Sequence, residues 1–160
     1  MTEYEAMMTI VNLRAKLEHF FFKGFSKEYP LPEDVNQTHI STLMFLHFNG
    51  SAPMSELSHL LNIEKGSFTP VANKLVAMGL IQKKRSEIDK RVYELSLTTE
   101  GFALADDFKE KHMVYMQERL KPLEKMRQEE FFRAIKSITD MIEELEKKSD
   151  DVILNDCLDC

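Results

Sequence analysis

Residues 65–101 read KGSFTPVANKLVAMGLIQKKRSEIDKRVYELSLTTEG. The stretch changes period in the middle. Its first part, within Lys65 to Met78, reads as a helix that stops at Gly79. Leu80 to Arg85 and Arg91 to Leu97 are short runs with alternation carried by Val92, Tyr93, Leu95 and Leu97. Five residues, Ser86 to Lys90, separate the two runs, which predicts a hairpin with a charged tip. The loop lacks a glycine, so its turn type stays open. Thr98 or Thr99 then caps a long helix of about Glu100 to Leu120, ended by Pro122, with Phe102, Ala105, Phe108, Met116 and Leu120 on its apolar face.

Working outward, a short helix of about Met54 to Leu61 precedes this stretch, with Pro53 at its start, where a missing N–H is harmless. Before it, Asn36 caps a helix of about Gln37 to Phe48, whose Ile40, Leu43, Met44 and His47 share a face and which Asn49-Gly50-Ser51 closes. The first segment, about Glu3 to Glu28, reads as one helix with Met7, Ile10, Val11, Leu17, Phe21 and Phe25 near one face, ended by Pro30 and Pro32. Phe20-Phe21-Phe22 widens that face beyond a stripe, which predicts packing on more than one side and a place in a subunit interface. The last helix, about Gln128 to Lys147, carries Phe131, Ile135, Ile138, Ile142 and Leu145 at a heptad-like spacing suited to a partner helix. The acidic remainder, residues 149–160, is expected to be a mobile tail. No internal repeat is visible.

The order is four helices, a two-stranded hairpin, then two helices. The expected fold class is mainly α with a small β-hairpin wing. A winged helix-turn-helix lobe spans about 36–98, and dimerisation helices span about 3–28 and 100–147, within one domain of residues 1–148. In such a layout the second short helix enters the major groove, the first braces it, and the wing follows the backbone or the minor groove.

Composition bounds the function. The chain has 160 residues, 43% of them hydrophobic and 30% charged, a globular mix with enough length to bury a core. No apolar run reaches the ~18 residues of a membrane span. The N-terminal stretch does not read as a signal peptide, because Thr9 and Asn12 interrupt its apolar run and Arg14, Lys16 and Glu18 follow. The two cysteines, Cys157 and Cys160, argue against a disulfide-built fold and for the cytoplasm. Net charge is −6, yet Glu64 to Arg91 carries seven basic and three acidic residues, leaving −10 on the rest. Fields fade over a Debye length of ~8 Å at physiological salt, so a partner meets the local basic patch.

The motifs resemble those of the MarR-type transcriptional regulators. Ser55-Glu56-Leu57-Ser58 to Leu60-Leu61 is similar to the bracing helix. Lys65-Gly66-Ser67-Phe68-Thr69-Pro70, Asn73-Lys74-Leu75 and Gly79-Leu80-Ile81 resemble the recognition helix and its exit. Most specific is the wing, where Asp89-Lys90-Arg91 and Leu97-Thr98-Thr99-Glu100-Gly101 fit the family's Asp-x-Arg and Leu-Thr-x-x-Gly pattern without a gap. Helix order is similar over about residues 5–147, and the motifs over about 54–101. The resemblance implies a homodimeric regulator, most often a repressor, that binds an inverted-repeat operator in double-stranded DNA and is released by a small-molecule effector. It implies no cofactor, no enzymatic activity and no membrane.

The residues expected to meet DNA are Lys65, Ser67, Thr69, Pro70, Asn73, Lys74, Arg85, Asp89, Lys90 and Arg91. Ser67, Thr69 and Asn73 can hydrogen-bond phosphates or base edges, and Asn suits adenine. Arg91 and Lys90 are the wing cations, and the resemblance implies that Asp89 orients the Arg91 guanidinium. Bland readings stand beside these. Ser67 or Thr69 can be helix caps, Lys83-Lys84-Arg85 a solvated strand edge, and Asp89–Arg91 an exposed pair of no energetic weight. Pro70 departs from the family, many members of which carry Arg there; if the helix starts at Gly66 or Ser67, Pro70 lies harmlessly in its first turn. The segment around Pro70 is similar to the peroxide-sensing branch, whose reactive cysteine in the first helix region has no counterpart in this chain.

For an effector pocket, Arg14, His39, His47 and His112 are the polar residues expected to face inward, although an isolated His is more often structural. Five scattered His give no metal-site spacing. Cys157-x-x-Cys160 has the spacing of a disulfide or half a metal site, but Asp156 and Asp159 beside it disfavour a thiolate. No nucleophile–base, metal or phosphate-loop pattern marks an enzyme. The competing class is a winged-helix module that binds protein without specific DNA recognition.

Overall fold

A computed structural model describes residues 2–158; the side chains of residues 26, 65 and 149 onward lie outside the description, as does Cys160 altogether. The elements are α1 (Glu3–Leu17), a π-helical turn (Glu18–Phe22), α2 (Phe25–Glu28), α3 (Gln37–Asn49), β1 (Ala52–Pro53), α4 (Met54–Leu60), α5 (Lys65–Ala77), β2 (Ile81–Arg85), β3 (Tyr93–Leu97), α6 (Thr99–Leu120) and α7 (Lys125–Leu158). The chain divides into two compact units, one ending at Met116 and one beginning at Gln117.

The fold is mainly helical with a small antiparallel sheet, as expected, with three departures in detail. The first concerns the N-terminal helix, which is not continuous. The Lys23 N–H donates to the Glu18 carbonyl at 2.9 Å, a five-residue step that inserts one extra residue into the turn. Three consecutive phenylalanines cannot share one stripe of a regular helix. The widened turn re-phases the chain so that Phe21 and Phe25 are buried, while α1 buries none of its residues. Second, a third strand exists. β1 pairs with β3 through Ala52–Leu95 and Pro53–Glu94, giving the order β1-β3-β2. Third, α7 runs to Leu158 rather than stopping near Lys147, so the backbone of the acidic stretch continues the helix.

The core of the first unit is formed by α3, α4, α5, the sheet and the start of α6. Ile40, Leu43, Leu57, Phe68, Ala72, Leu75, Ile81, Leu95 and Ala105 are almost wholly buried together. The turn between α4 and α5 closes with Asn62 in the left-handed region (φ 52°) and Ile63 N–H donating to Ser58 O at 2.8 Å. The same device ends α5. Gly79 adopts φ 71°, Gly79 N–H donates to Val76 O and Leu80 N–H to Leu75 O, which turns the chain directly into β2.

α3 begins with a reciprocal cap. Asn36 Oδ1 accepts the His39 N–H at 2.9 Å, and His39 Nδ1 accepts the Asn36 N–H at 3.1 Å. Burial, and next the positive charge of Lys74, hold the His39 imidazole below its ordinary pKa, against a backbone hydrogen bond at Asp34. The unfolded chain therefore takes up this proton first, and stability falls as pH drops below about 6.5. A His39→Gln variant keeps the cap and removes the titration. Its urea midpoint is expected to fall less between pH 7 and 5 than that of the unsubstituted protein; identical slopes would show that His39 does not contribute.

Candidate nucleic-acid interface

α5 has two faces. Phe68, Ala72 and Leu75, spaced four and three residues apart, are fully buried and fix the helix to α4 and the sheet. Ser67, Pro70, Asn73 and Lys74 are exposed on the opposite side, and Thr69 is half-buried at the margin. Lys65 opens the helix, its side chain outside the described residues. The sequence reading placed Pro70 in the first turn on the condition that the helix starts at Gly66 or Ser67. The helix starts at Lys65, which puts Pro70 sixth, past the first turn, so the Gly66 carbonyl loses its intrahelical partner. Gly66 is exposed, and water can satisfy that oxygen. Lys74 Nζ lies 3.6 Å from Asp34 Oδ1, with Asp34 itself in the left-handed region at φ 67°. Both side chains are well exposed, so the pair is worth less than about 1 kcal/mol and does not bar Lys74 from a phosphate.

The wing is β2 and β3 in register from Ile81–Leu97 to Arg85–Tyr93. Its tip is ordered by backbone bonds from Ser86 N–H to Val92 O and from Val92 N–H to Asp89 O, at 3.0 and 2.9 Å. The resemblance implied that Asp89 orients the Arg91 guanidinium; among the described residues no ion pair joins the two side chains. The Asp89 carboxylate accepts the Arg91 backbone N–H at 2.9 Å, an Asx turn that shapes the tip and leaves Lys90 and Arg91 exposed. Ile88, which the sequence reading passed over, is 98% exposed at the same tip. Arg85 is exposed, with its Nε donating to the Tyr93 hydroxyl at 3.4 Å. Tyr93 is a functional candidate that sequence reasoning missed, because a tyrosine in a strand reads as packing.

The motif Leu97-Thr98-Thr99-Glu100-Gly101 joins the wing to α6. Thr98, not Thr99, is the cap: its Oγ1 accepts the Gly101 N–H at 3.0 Å and donates to the Gly79 carbonyl at 2.6 Å. One hydroxyl thus ties the end of α5 to the start of α6.

A cavity of about 400 Å³ lies between α2, α3 and α6. Phe25, Ile40, Met44 and Phe108 give it an apolar wall, and Gln37, Ser41, Lys109 and His112 its polar groups. Of the four residues expected there, only His112 lines it. The His112 Nε2–H donates to the Phe21 carbonyl at 2.9 Å, and the ring stacks on Phe25 at 4.5 Å. Arg14 is exposed on α1, a helix that buries none of its residues. His39 is occupied by the α3 cap. His47 sits beside the cavity, its ring stacked on Phe102 at 4.7 Å and its Nε2 3.1 Å from Asp106 Oδ1. Among the described residues no group of three or more His, Cys, Asp or Glu could hold a metal ion, and no helix is long and apolar enough to cross a membrane. The side chain of Cys157 and all of Cys160 lie outside the described residues.

Residues 35–93 match the MarR family model. Over those residues the chain is similar to the MarR family. It is 28% identical over 89 residues to the HTH-type transcriptional regulator MhqR of Bacillus subtilis (strain 168), covering 56% of this chain and 61% of MhqR. It is 30% identical over 87 residues to the organic hydroperoxide resistance transcriptional regulator of the same organism, covering 52% and 59%. The chain thus spans about three fifths of the curated relatives it matches. The fold extends further. A MarR family protein from Bacillus stearothermophilus superposes with a TM-score of 0.71 at 18% identity, over 89% of this chain and 99% of that one. Streptococcus pneumoniae FabT, solved in complex with DNA, superposes with a TM-score of 0.64 at 19% identity, over the same shares.

Proposed function

We propose that this chain is a MarR-type transcriptional regulator that binds double-stranded DNA as a homodimer. The observation that carries the reading is the exposed polar face of α5, anchored by its buried opposite face, beside a wing whose cations Arg85, Lys90 and Arg91 are exposed. In the major groove, Asn73, Ser67 and Thr69 read or brace, while Lys65, Lys74 and the wing residues Arg85, Lys90 and Arg91 meet phosphates. Pro70 lies on the same outward face, and Asp89 acts by shaping the tip. The structure of FabT with DNA supports this use of the fold.

Two exposed apolar surfaces support the dimer. On α1, Tyr4, Met7, Ile10 and Val11 are more than half exposed; on α7, Phe132, Ile138, Ile142 and Leu145 are open to solvent. A twofold dimer sets two recognition helices about 34 Å apart, so the operator is an inverted repeat. Selective binding of such a repeat by a species of twice the chain mass in sedimentation tests this reading; a monomer that binds random duplex equally well would overturn it.

The cavity supports an effector as the release signal. Its chemistry suits a small, mostly apolar molecule with one hydrogen-bonding or anionic end set against Gln37, Ser41, Lys109 or His112. Replacing Met44 by Trp narrows it. The variant is expected to keep its DNA affinity and to lose release by any small molecule that frees the unsubstituted protein. Release retained in Met44→Trp would place the effector elsewhere.

A further inference from the structure

The wing carries a second cationic site at its base. In paired strands alternate residues share a face, so Ile81, Lys83 and Arg85 of β2 lie on one side with Tyr93, Leu95 and Leu97 of β3. At the root this face is core: Ile81 and Leu95 are buried with Phe68, Ala72 and Leu75 of the recognition helix. Further out the same face becomes cationic. Lys83 Nζ lies 4.4 Å from the Tyr93 ring centroid and the Arg85 guanidinium carbon 5.6 Å from it, while Arg85 Nε donates to the Tyr93 hydroxyl. The Arg85 hydrogen bond first, and then the charges of Arg85 and Lys83, hold the phenol below its ordinary pKa. The one carboxylate of the strand pair, Glu94, opposes Lys84 on the other face. Among the described residues neither Lys83 nor Arg85 forms an ion pair. Two like charges are thus gathered on one ring, on the recognition-helix side of the sheet, with no anion between them. The ring's negative face offsets part of their repulsion, and an anion bound by both would offset the rest.

We propose that Tyr93 is a positioning residue that aims Lys83 and Arg85 together at one phosphodiester of the DNA flanking the groove entered by α5. This rests on the DNA-binding reading above. It adds Lys83 and Tyr93 to the interface and gives Arg85 a fixed direction, distinct from the cations at the wing tip. The tyrosine need not touch DNA.

The test is fluorescence anisotropy on operator duplex over a salt series, with thermal melting to confirm that each variant is folded. Tyr93→Leu is expected to weaken binding several-fold and to lower the slope of log affinity against log salt by about 0.9, one phosphate's worth. Tyr93→Phe keeps the ring and is expected to keep most of the slope. In a Lys83→Ala/Arg85→Ala background, Tyr93→Leu is expected to change nothing further. Lys84→Ala, on the opposite face, is the control and leaves the slope within experimental scatter. An unchanged slope in Tyr93→Leu, or an equal further loss in the double-variant background, overturns the proposal while leaving the DNA-binding reading intact. Failure of the unsubstituted protein to bind operator overturns both.

Discussion

Gly101→Ala is expected to cost the first unit at least about 3 kcal/mol, the upper part of the range for forced overpacking. A Cβ at this position would lie 1.8 Å from the Leu80 carbonyl oxygen and 2.8 Å from its carbon, both backbone atoms. That oxygen cannot swing aside cheaply, because it accepts the Thr98 N–H at 3.1 Å. Nor can α6 back away, because Thr98 Oγ1 holds the Gly101 N–H and the Gly79 carbonyl at once. Alanine's helix propensity offers at most about 1 kcal/mol in return. Against a typical domain stability of about 5–15 kcal/mol the loss is large. Urea denaturation measures it directly; a midpoint unchanged from the unsubstituted protein would mean that α6 and Leu80 do not approach this closely. The effect on DNA binding should follow from the same contact, since Leu80 leads from the recognition helix into the wing.

The second large effect concerns the recognition face, where two substitutions should separate base reading from phosphate binding. Asn73 is exposed, so Asn73→Ala leaves the fold unstrained. If it makes a bidentate contact to adenine, its loss costs about 1–3 kcal/mol of discrimination, roughly 5- to 150-fold, at one operator position. The salt slope should hold, because no phosphate contact is removed. Arg91→Ala should behave in the opposite way: weaker binding on operator and random duplex alike, and a slope lower by about 0.9. Anisotropy on both duplexes checks the pair. Equal losses on both duplexes for Asn73→Ala would make it a backbone contact, and an unchanged slope for Arg91→Ala would show that the wing tip does not touch DNA.

The elements that position this site are those whose signals are local in sequence. Asn36 as a cap, Gly79 as a helix end, the buried spacing of Phe68, Ala72 and Leu75, and the alternation of β3 all act over a few residues. What escaped depends on distant partners. β1 is two residues long and exists only because β3 lies beside it. His39 reads as a pocket residue until its ring is seen closing the α3 cap. Tyr93 matters only once the register sets it against Arg85, eight residues away. Gly101 is legible as a motif letter, but its reason, the Leu80 carbonyl, comes from a chain reversal. How deep Pro70 sits turned on the helix start, which the local sequence left open over Lys65 to Ser67.

The most direct test of the DNA-binding account is anisotropy of the purified protein on duplex from upstream of its own gene, against scrambled duplex of the same composition, over a salt series. The account predicts selectivity of about a thousandfold or more for an inverted repeat, with affinity falling steeply as salt rises. Weak binding that is equal on both duplexes would contradict it and would point to a protein partner for the winged helix.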